Sequence, residues 1–210
     1  WHIKNVLAVT NLNQETAGFI KGFEAFRDPA LKTQNPNPEA FRDSQSFRAY
    51  SQINYVGDET TGFTLTPYIR STDMQFLQHF LPWQALEENS HSSVGVKAQF
   101  QKVYGDLTWL SGFDSDYTQG KLTETQAEDF SPAQPAGTHY DYDVDATVYS
   151  PFAHVQWQAS QRLMLSVGLR FEHTHYDYNN RLSNGSACAA GVDNCRFTRA
   201  EDQTVDYDEW

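Results

Sequence analysis

The chain lacks a long apolar run and a basic patch. None of its 210 residues belongs to an apolar run of about 18 residues, the length that a spanning helix needs, and the mean hydropathy is −0.64. The sequence therefore excludes a membrane-spanning helix. Lys and Arg number 15 against 27 Asp and Glu, for a net charge of −12. Because phosphate binding needs a basic stripe, we expect no nucleic-acid partner.

Cysteine is also scarce, with Cys188 and Cys195 as the two examples. They are too few for a Cys-based zinc site, and they lie close together in a polar segment, which predicts one disulfide loop and favours an oxidising compartment. The eight-residue ring would contribute about 2.5 kcal/mol in the chain-entropy model.

Enzyme motifs are missing too. We find no nucleophile elbow, phosphate loop or zinc motif, so we expect no enzymatic activity and no intrinsic cofactor or metal. The chain begins at Trp1 without a Met or a leader, and we expect that the beginning of the protein lies upstream.

What the sequence does contain is period-two alternation, in six blocks of about ten residues, which predicts an almost all-β fold. The clearest block is 163–172, where Leu, Val and Phe alternate with mostly small or polar residues. One face of the six blocks has no charged residue. The other face has six: Arg48, Arg70, Lys97, Asp114, Arg170 and Glu172.

Connections between the blocks alternate in length. Short turns are predicted at 56–62, 104–106 and 158–162, and long loops at 13–45, 73–93, 118–147 and 175–203. In an antiparallel up-and-down meander, all turns then lie at one end and all long loops at the other. A first strand near 4–12 and a last strand from about Thr204 fit the same scheme.

A charge-free face can be a soluble core or a surface that meets lipid. Three features favour lipid. The opposite face is polar, as a hydrated lumen requires; the connections alternate between short and long; and aromatic residues collect near the short turns. Those aromatic residues are Tyr55, Phe63, Tyr104, Trp109 and Trp157. We therefore predict a transmembrane β-barrel with short periplasmic turns and long extracellular loops. The alternative is a secreted soluble β-rich module that binds carbohydrate or cations.

Three segments carry a resemblance to a known family: Phe-Leu-Gln-His-Phe-Leu-Pro at 76–82, Gly-Thr-His-Tyr-Asp-Tyr at 137–142, and Val-Gly-Leu-Arg-Phe-Glu-His at 167–173. They resemble the barrel of TonB-dependent outer-membrane receptors of the ferric-siderophore type. The resemblance implies a 22-stranded barrel with a plug domain, located in the bacterial outer membrane among lipid and lipopolysaccharide. It also implies uptake of a small-molecule metal chelate, driven by a TonB-type energy-coupling protein through the plug.

The chain departs from this family pattern in three ways. It has no recognisable plug, no energy-coupling box and no closing C-terminal strand. We therefore expect residues 1–210 to be a middle section of one barrel domain. A passive porin-like channel is the alternative within the membrane class, since the plug is what separates the two.

Ligand-binding candidates in the first two predicted loops are Arg27, Arg42, His79 and Trp83. Guanidinium groups can pair bidentately with the oxygens of an anionic ferric complex, and Trp supplies a flat contact. The alternative is that each Arg, followed directly by Asp, forms a local ion pair that pins its loop.

Further candidates lie in two segments rich in His, Asp and Tyr: Tyr140, Tyr142 and His175. Such residues can bind a transition metal directly, but they also suit an aromatic belt at the membrane interface. The predicted loop 118–147 is strongly acidic. Its charge would repel an anionic chelate, hold divalent cations that bridge lipopolysaccharide, or keep the loop solvated.

Overall fold

The computed structural model describes residues 1–78 and 83–210, and most of them belong to one antiparallel sheet whose strands follow one another in chain order. No helix in these two ranges is long and apolar enough to cross a membrane. The strands are β1 (His2–Glu15), β2 (Phe41–Asp58), β3 (Thr61–Leu77), β4 (Ala85–Tyr104), β5 (Leu107–Gln126), β6 (Gly137–Ser160), β7 (Leu163–Arg170), β8 (Glu172–Asn180), β9 (Gly185–Ser186), β10 (Thr198–Arg199) and β11 (Gln203–Glu209).

The pairing register keeps the predicted apolar residues on one face of the sheet. A single row across β2 to β6 joins Ile53, Leu65, Ala98, Phe113 and Pro151, each directly opposite the next. Because side chains alternate between faces, this register places every second residue of these strands on the same side. We call this side the apolar face and the opposite side the polar face.

The apolar face is left uncovered. Val94, Val167 and Leu169 are 54%, 69% and 62% exposed, and no described residue forms a second layer over them. A soluble sandwich would bury such side chains against another sheet. The alternative of a soluble module built around this face therefore does not fit the fold.

The short connections agree with the prediction, since β2–β3, β4–β5 and β6–β7 are joined at 59–60, 105–106 and 161–162. We call this side of the sheet the turn end and the opposite side the loop end. The bounds predicted for two long loops are wrong. Strands continue through most of 73–93 and 118–147, so β4 and β5 are each 20 residues long and β6 is 24.

This error has a physical cause. About 9–11 residues of a tilted strand cross a bilayer, so strands of this length project far beyond it. The projecting parts meet water on both faces and lose the alternation that marks a strand in sequence. Their backbone ladder is nevertheless complete, with β4 and β5 paired from Ala85 to Tyr104 without a shift.

Strands β7 and β8 act as one long strand interrupted at Phe171. Both pair with β6, β7 along its turn-end half and β8 along its loop-end half. The amide of Phe171 still donates to the carbonyl of Pro151 at 3.0 Å, an ordinary hydrogen-bond distance. Strand β11 then pairs with β8 and ends the sheet.

Buried apolar side chains in the described ranges gather at the loop end rather than within the sheet. They are Ala25, Ala40, Phe76, Ala85 and Phe197. A single curved sheet has no interior, so packing is available only where loops and strand ends fold over one another. This small core holds the loop end in a fixed arrangement.

Candidate ligand-binding site

Five residues form one row across the polar face at the loop end. Arg42, Phe76, Glu87, Glu124 and Tyr140 lie on β2 to β6, and each is directly opposite the next. With strands about 4.8 Å apart, the row spans roughly 19 Å. We call it the mouth row. It brings the predicted candidates Arg42 and Tyr140 onto the same surface.

Arg42 is exposed at one end of this row. Its guanidinium carbon lies 4.5 Å from the centroid of the Phe76 ring, a cation–π distance. Asp43, the next residue in the strand, points to the opposite face. The ion pair between these neighbours, which the sequence offered as an alternative, is not formed. The guanidinium of Arg42 therefore lies over the Phe76 ring on the polar face.

Glu87 and Glu124 occupy the middle of the row as directly opposed carboxylates. The amide nitrogen of Gln78 bridges them, 3.0 Å from Glu87 Oε2 and 3.5 Å from Glu124 Oε2. Asn89 donates to Glu87 Oε1 at 2.7 Å, and His139 Nδ1 lies 2.9 Å from Glu124 Oε1. Neighbouring polar groups thus satisfy both carboxylates, which offsets the repulsion of like charges placed opposite each other.

Three tyrosines follow at the other end of the row. Tyr140 belongs to the row, Tyr142 lies two residues further along the same face of β6, and Tyr178 on β8 has its ring centroid 5.0 Å from that of Tyr142. The structure gives none of their hydroxyls a hydrogen bond to another described residue. They are available to a ligand as donors.

Burial raises the pKa of the Tyr142 hydroxyl, with further contributions from Tyr178 and Glu87. Burial also raises the pKa of Tyr178, which Asp202 and Tyr140 raise further. Both side chains lie on the strand extensions at the loop end, beyond the membrane-crossing length. Both phenols are neutral at physiological pH and can donate hydrogen bonds.

The other predicted candidates lie elsewhere. Arg27 sits in the β1–β2 loop, where its Nη1 lies 3.0 Å from Glu24 Oε1. His175 is on the apolar-face side of β8, and its Nδ1 lies 2.7 Å from Asp206 Oδ1. Trp83 packs near Phe197 in the loop-end core rather than over the mouth row. His79 lies outside the described residues.

The acidity of the predicted loop 118–147 is divided between the two faces. Asp141, Asp143 and Asp145 alternate with the tyrosines of β6 and therefore point away from the mouth row. Arg181 pairs with two of them, Asp143 and Asp141. Glu124 is the carboxylate of the segment that stays in the row. Three of the six carboxylates of this segment thus face the other side.

The sequence did not single out Gln78, Glu87, Glu124 or Tyr178 as site residues. Glu87 and Glu124 are far apart in sequence, and the register alone brings them together. Tyr178 could have been found from the pairing of β8 with β6, because that pairing places Tyr178 on the same face of the sheet as Tyr142. In the described ranges, no group of three or more His, Cys, Asp or Glu is arranged to hold a metal ion.

The loop from Arg181 to Asp202 contacts the β6 end of the row, where the ring centroids of Phe197 and Tyr140 are 6.0 Å apart. Cys188 and Cys195 are joined in a disulfide, and β9 and β10 form a small hairpin beside it. Phe197 stacks on His139 with ring centroids 3.6 Å apart. His139 is 1% exposed, and its other ring nitrogen lies 2.7 Å from the carbonyl of Pro135. The disulfide loop is therefore anchored to the end of the mouth row.

An open antiparallel sheet of long strands, with an uncovered apolar face, a polar opposite face and short turns at one end, defines a segment of a transmembrane β-barrel. Residues 13–207 match the family described as TonB dependent receptor-like, beta-barrel. The chain belongs to this family.

Solved structures agree with the fold. The unliganded ferric citrate transporter FecA is similar over 99% of this chain, with a TM-score of 0.72 and 14% identity. The ferric-catecholate import receptor Fiu from E. coli K12 is similar in its open form over 97% of the chain, with a TM-score of 0.56 and 12% identity. The closed form of Fiu is similar over 99% of the chain, with a TM-score of 0.62 and 10% identity.

The chain spans less than half the length of these structures, covering 29% of FecA and 40% and 37% of the two Fiu forms. Comparison with curated proteins finds no match. In a barrel of this family the apolar face meets lipid, the polar face lines the lumen, and the loop end is extracellular. The mouth row then lies on the lumen face at the loop end.

Proposed function

We propose that this chain is part of the barrel of a bacterial outer-membrane receptor that takes up a ferric siderophore or a similar metal chelate. One observation carries the proposal: Arg42 and Tyr140 stand in a single row on the lumen face, with Tyr142 beside it. A guanidinium group and neutral phenols are donors that match the oxygen atoms of a chelate. The chain needs no metal ligand of its own, since the chelator already holds the iron.

Energy coupling belongs to the same proposal. A TonB-type protein would act through the plug domain, and outer-membrane lipid and lipopolysaccharide would surround the barrel. The similarity to a ferric citrate transporter, FecA, and to a ferric-catecholate import receptor, Fiu, supports iron uptake as the process.

The test is uptake by the full-length receptor in a strain that lacks its own siderophore receptors. We expect growth under iron limitation with at least one ferric siderophore of a hydroxamate, catecholate and citrate panel. Growth should require the energy-coupling protein. Uptake that persists without that protein would instead indicate a passive channel.

Binding by the purified receptor tests the site itself. Tyr142→Phe removes one donor, and we expect the Kd for the transported chelate to rise about 2- to 10-fold, the worth of one neutral hydrogen bond. Tyr149→Phe is the matched control, because Tyr149 lies on the same strand but on the apolar face and is 45% exposed. Equal affinities for the two variants would remove Tyr142 from the site.

A further inference from the structure

The mouth row holds more acidic than basic side chains. Two of its residues, Glu87 and Glu124, are acidic, and one, Arg42, is basic. The two carboxylates lie side by side in the middle of the row. Arg42 lies at one end, two strands from Glu87, which places their backbones about 10 Å apart. In the described part of the chain, no salt bridge joins Arg42 to either carboxylate.

The hydrogen-bond partners of Glu87 are neutral. Its two carboxylate oxygens accept from the side-chain amides of Gln78 and Asn89, at 3.0 and 2.7 Å. Amide donors satisfy the oxygen atoms but leave the negative charge in place. Among the described residues, Glu124 has the imidazole of His139 at ion-pair distance, and Glu87 has no Lys, Arg or His there. Glu87 therefore keeps an uncompensated charge beside that of Glu124.

Both carboxylates are half-buried at the loop end, and the side chain of Glu124 is 12% exposed. Water and salt screen such charges less than charges on an open surface. Because the Coulomb energy falls only slowly with distance, a ligand on the polar face is affected by the carboxylates without touching them. The middle of the mouth row therefore disfavours a negatively charged ligand.

The other polar groups of the site are hydrogen-bond donors. Arg42 offers N–H groups at one end of the row, and Tyr140, Tyr142 and Tyr178 offer hydroxyls at the other. A ligand that suits these groups presents oxygen acceptors. The carboxylates add a second requirement, the absence of net negative charge, since repulsive groups are a common means of rejecting the wrong ligand. The site thus calls for a neutral chelate that is rich in acceptor oxygens.

Ferric chelates differ in charge according to their chemical class. Three singly charged hydroxamates balance Fe³⁺ and give a neutral complex, whereas three doubly charged catecholates give a trianion, and ferric citrate is anionic as well. The hydroxamate oxygens keep lone pairs that accept hydrogen bonds. We propose that the mouth row selects a neutral ferric trihydroxamate over an anionic chelate. The selection rests on the proposed function and adds the class of the chelate to it.

Calorimetric titration of the purified full-length receptor in detergent tests the proposal. The neutral probes are ferrichrome and ferric coprogen, and the anionic probes are ferric enterobactin and ferric citrate. We expect at least one neutral probe to bind about 10-fold or more tightly than either anionic probe. An anionic probe that binds as tightly as the best neutral probe would overturn the charge selection and leave chelate uptake intact. Binding of none of the four would overturn the proposed function and the selection with it.

Glu87→Gln removes one charge from the row at almost constant shape. We expect the ratio of the two Kd values, better anionic probe over best neutral probe, to fall about 3- to 10-fold, because one partly screened charge near an anion is lost. Glu88→Gln is the matched control. Glu88 is the next residue of β4, is exposed on the opposite face and accepts from Gln75 at 2.7 Å.

The control should leave the ratio of Kd values at its wild-type level. Heat-modifiable migration on gels reports that each variant barrel is folded. A ratio that is the same in wild type and Glu87→Gln, or that falls equally in Glu87→Gln and Glu88→Gln, would overturn the role of the row in charge selection.

Discussion

Tyr68 lies directly opposite Gly95, and its ring occupies the space that a side chain at Gly95 would fill. A Cβ atom there would stand 2.3 Å from Tyr68 Cζ and 2.7 Å from the carbonyl oxygen of Ser115. The ring therefore crosses β4 and its hydroxyl donates to Asp116 on β5. Arg70 joins the same carboxylate, with Nη2 3.5 Å from Oδ2. This lumen network joins β3 to β5 over a glycine.

Gly95→Ala should therefore displace Tyr68 from Asp116 and destabilise the barrel by about 1–3 kcal/mol, the cost of overpacking. The measurement is the free energy of unfolding by urea in lipid vesicles. Gly120→Ala is the control, because the nearest atom to its added Cβ is at 3.6 Å, an ordinary contact. Equal stabilities of the two variants would contradict the packing of Tyr68 on Gly95.

Leu165 and Ser166 test the assignment of the two faces. Leu165 lies opposite Trp157 on the apolar face, and Ser166 lies opposite Gln156 on the polar face. Leu165→Arg should cost about 2–4 kcal/mol if the position is near the bilayer midplane, because the charge would enter lipid. Ser166→Arg should be tolerated in a hydrated lumen. Folding into liposomes measures both, and equal tolerance would refute the lipid-facing assignment.

The disulfide between Cys188 and Cys195 is expected to stabilise the 181–202 loop. Replacing Cys188 and Cys195 together by Ser should reduce the stability of the loop by about 2.5 kcal/mol, from the chain entropy of an eight-residue ring. Limited proteolysis should cut the loop sooner, while the barrel retains its heat-modifiable migration. A cutting rate unchanged from the wild type would show that the anchoring by Phe197 is sufficient.

The turn between β2 and β3 has a defined pH response. Hydrogen bonds from the hydroxyl and amide of Thr60, with help from Thr61 and Lys102, lower the pKa of Asp58 to about 2. Because the folded pKa is depressed, the stabilisation is full above the unfolded pKa of 3.8 and is lost as the pH falls towards 2.

Thr60→Ala should raise the pKa of Asp58 towards 3.8, since the largest cause of the shift is removed. Carboxyl ¹³C NMR of the turn measures this directly across pH 2 to 5. Thr64→Ala, which removes a hydroxyl that donates to Asn54 instead, is the control. A pKa that stays near 2 in Thr60→Ala would show that the backbone amide of residue 60, Thr61 or Lys102 causes the shift instead of the hydroxyl.

Alternation along the chain was sufficient to predict the antiparallel meander, the short turns and the two faces. In segment 163–172 neighbouring residues face lipid and lumen in turn, so apolar and polar residues alternate in the sequence. Beyond the bilayer the contrast disappears, because both faces of Ala85–Asn89 and of Lys121–Gln126 meet water or loops. The sequence therefore could not distinguish these strand extensions from loops.

The sequence by itself determined the class of fold, the family resemblance and the residue types available for binding. The tertiary structure decided which of those residues meet. Register places Glu124 opposite both Glu87 and Tyr140 and aligns Arg42 with them, although these residues come from four strands. Strand parity turns His175 away from the same surface. Both depend on long-range hydrogen-bond pairing, which no local pattern of side chains specifies.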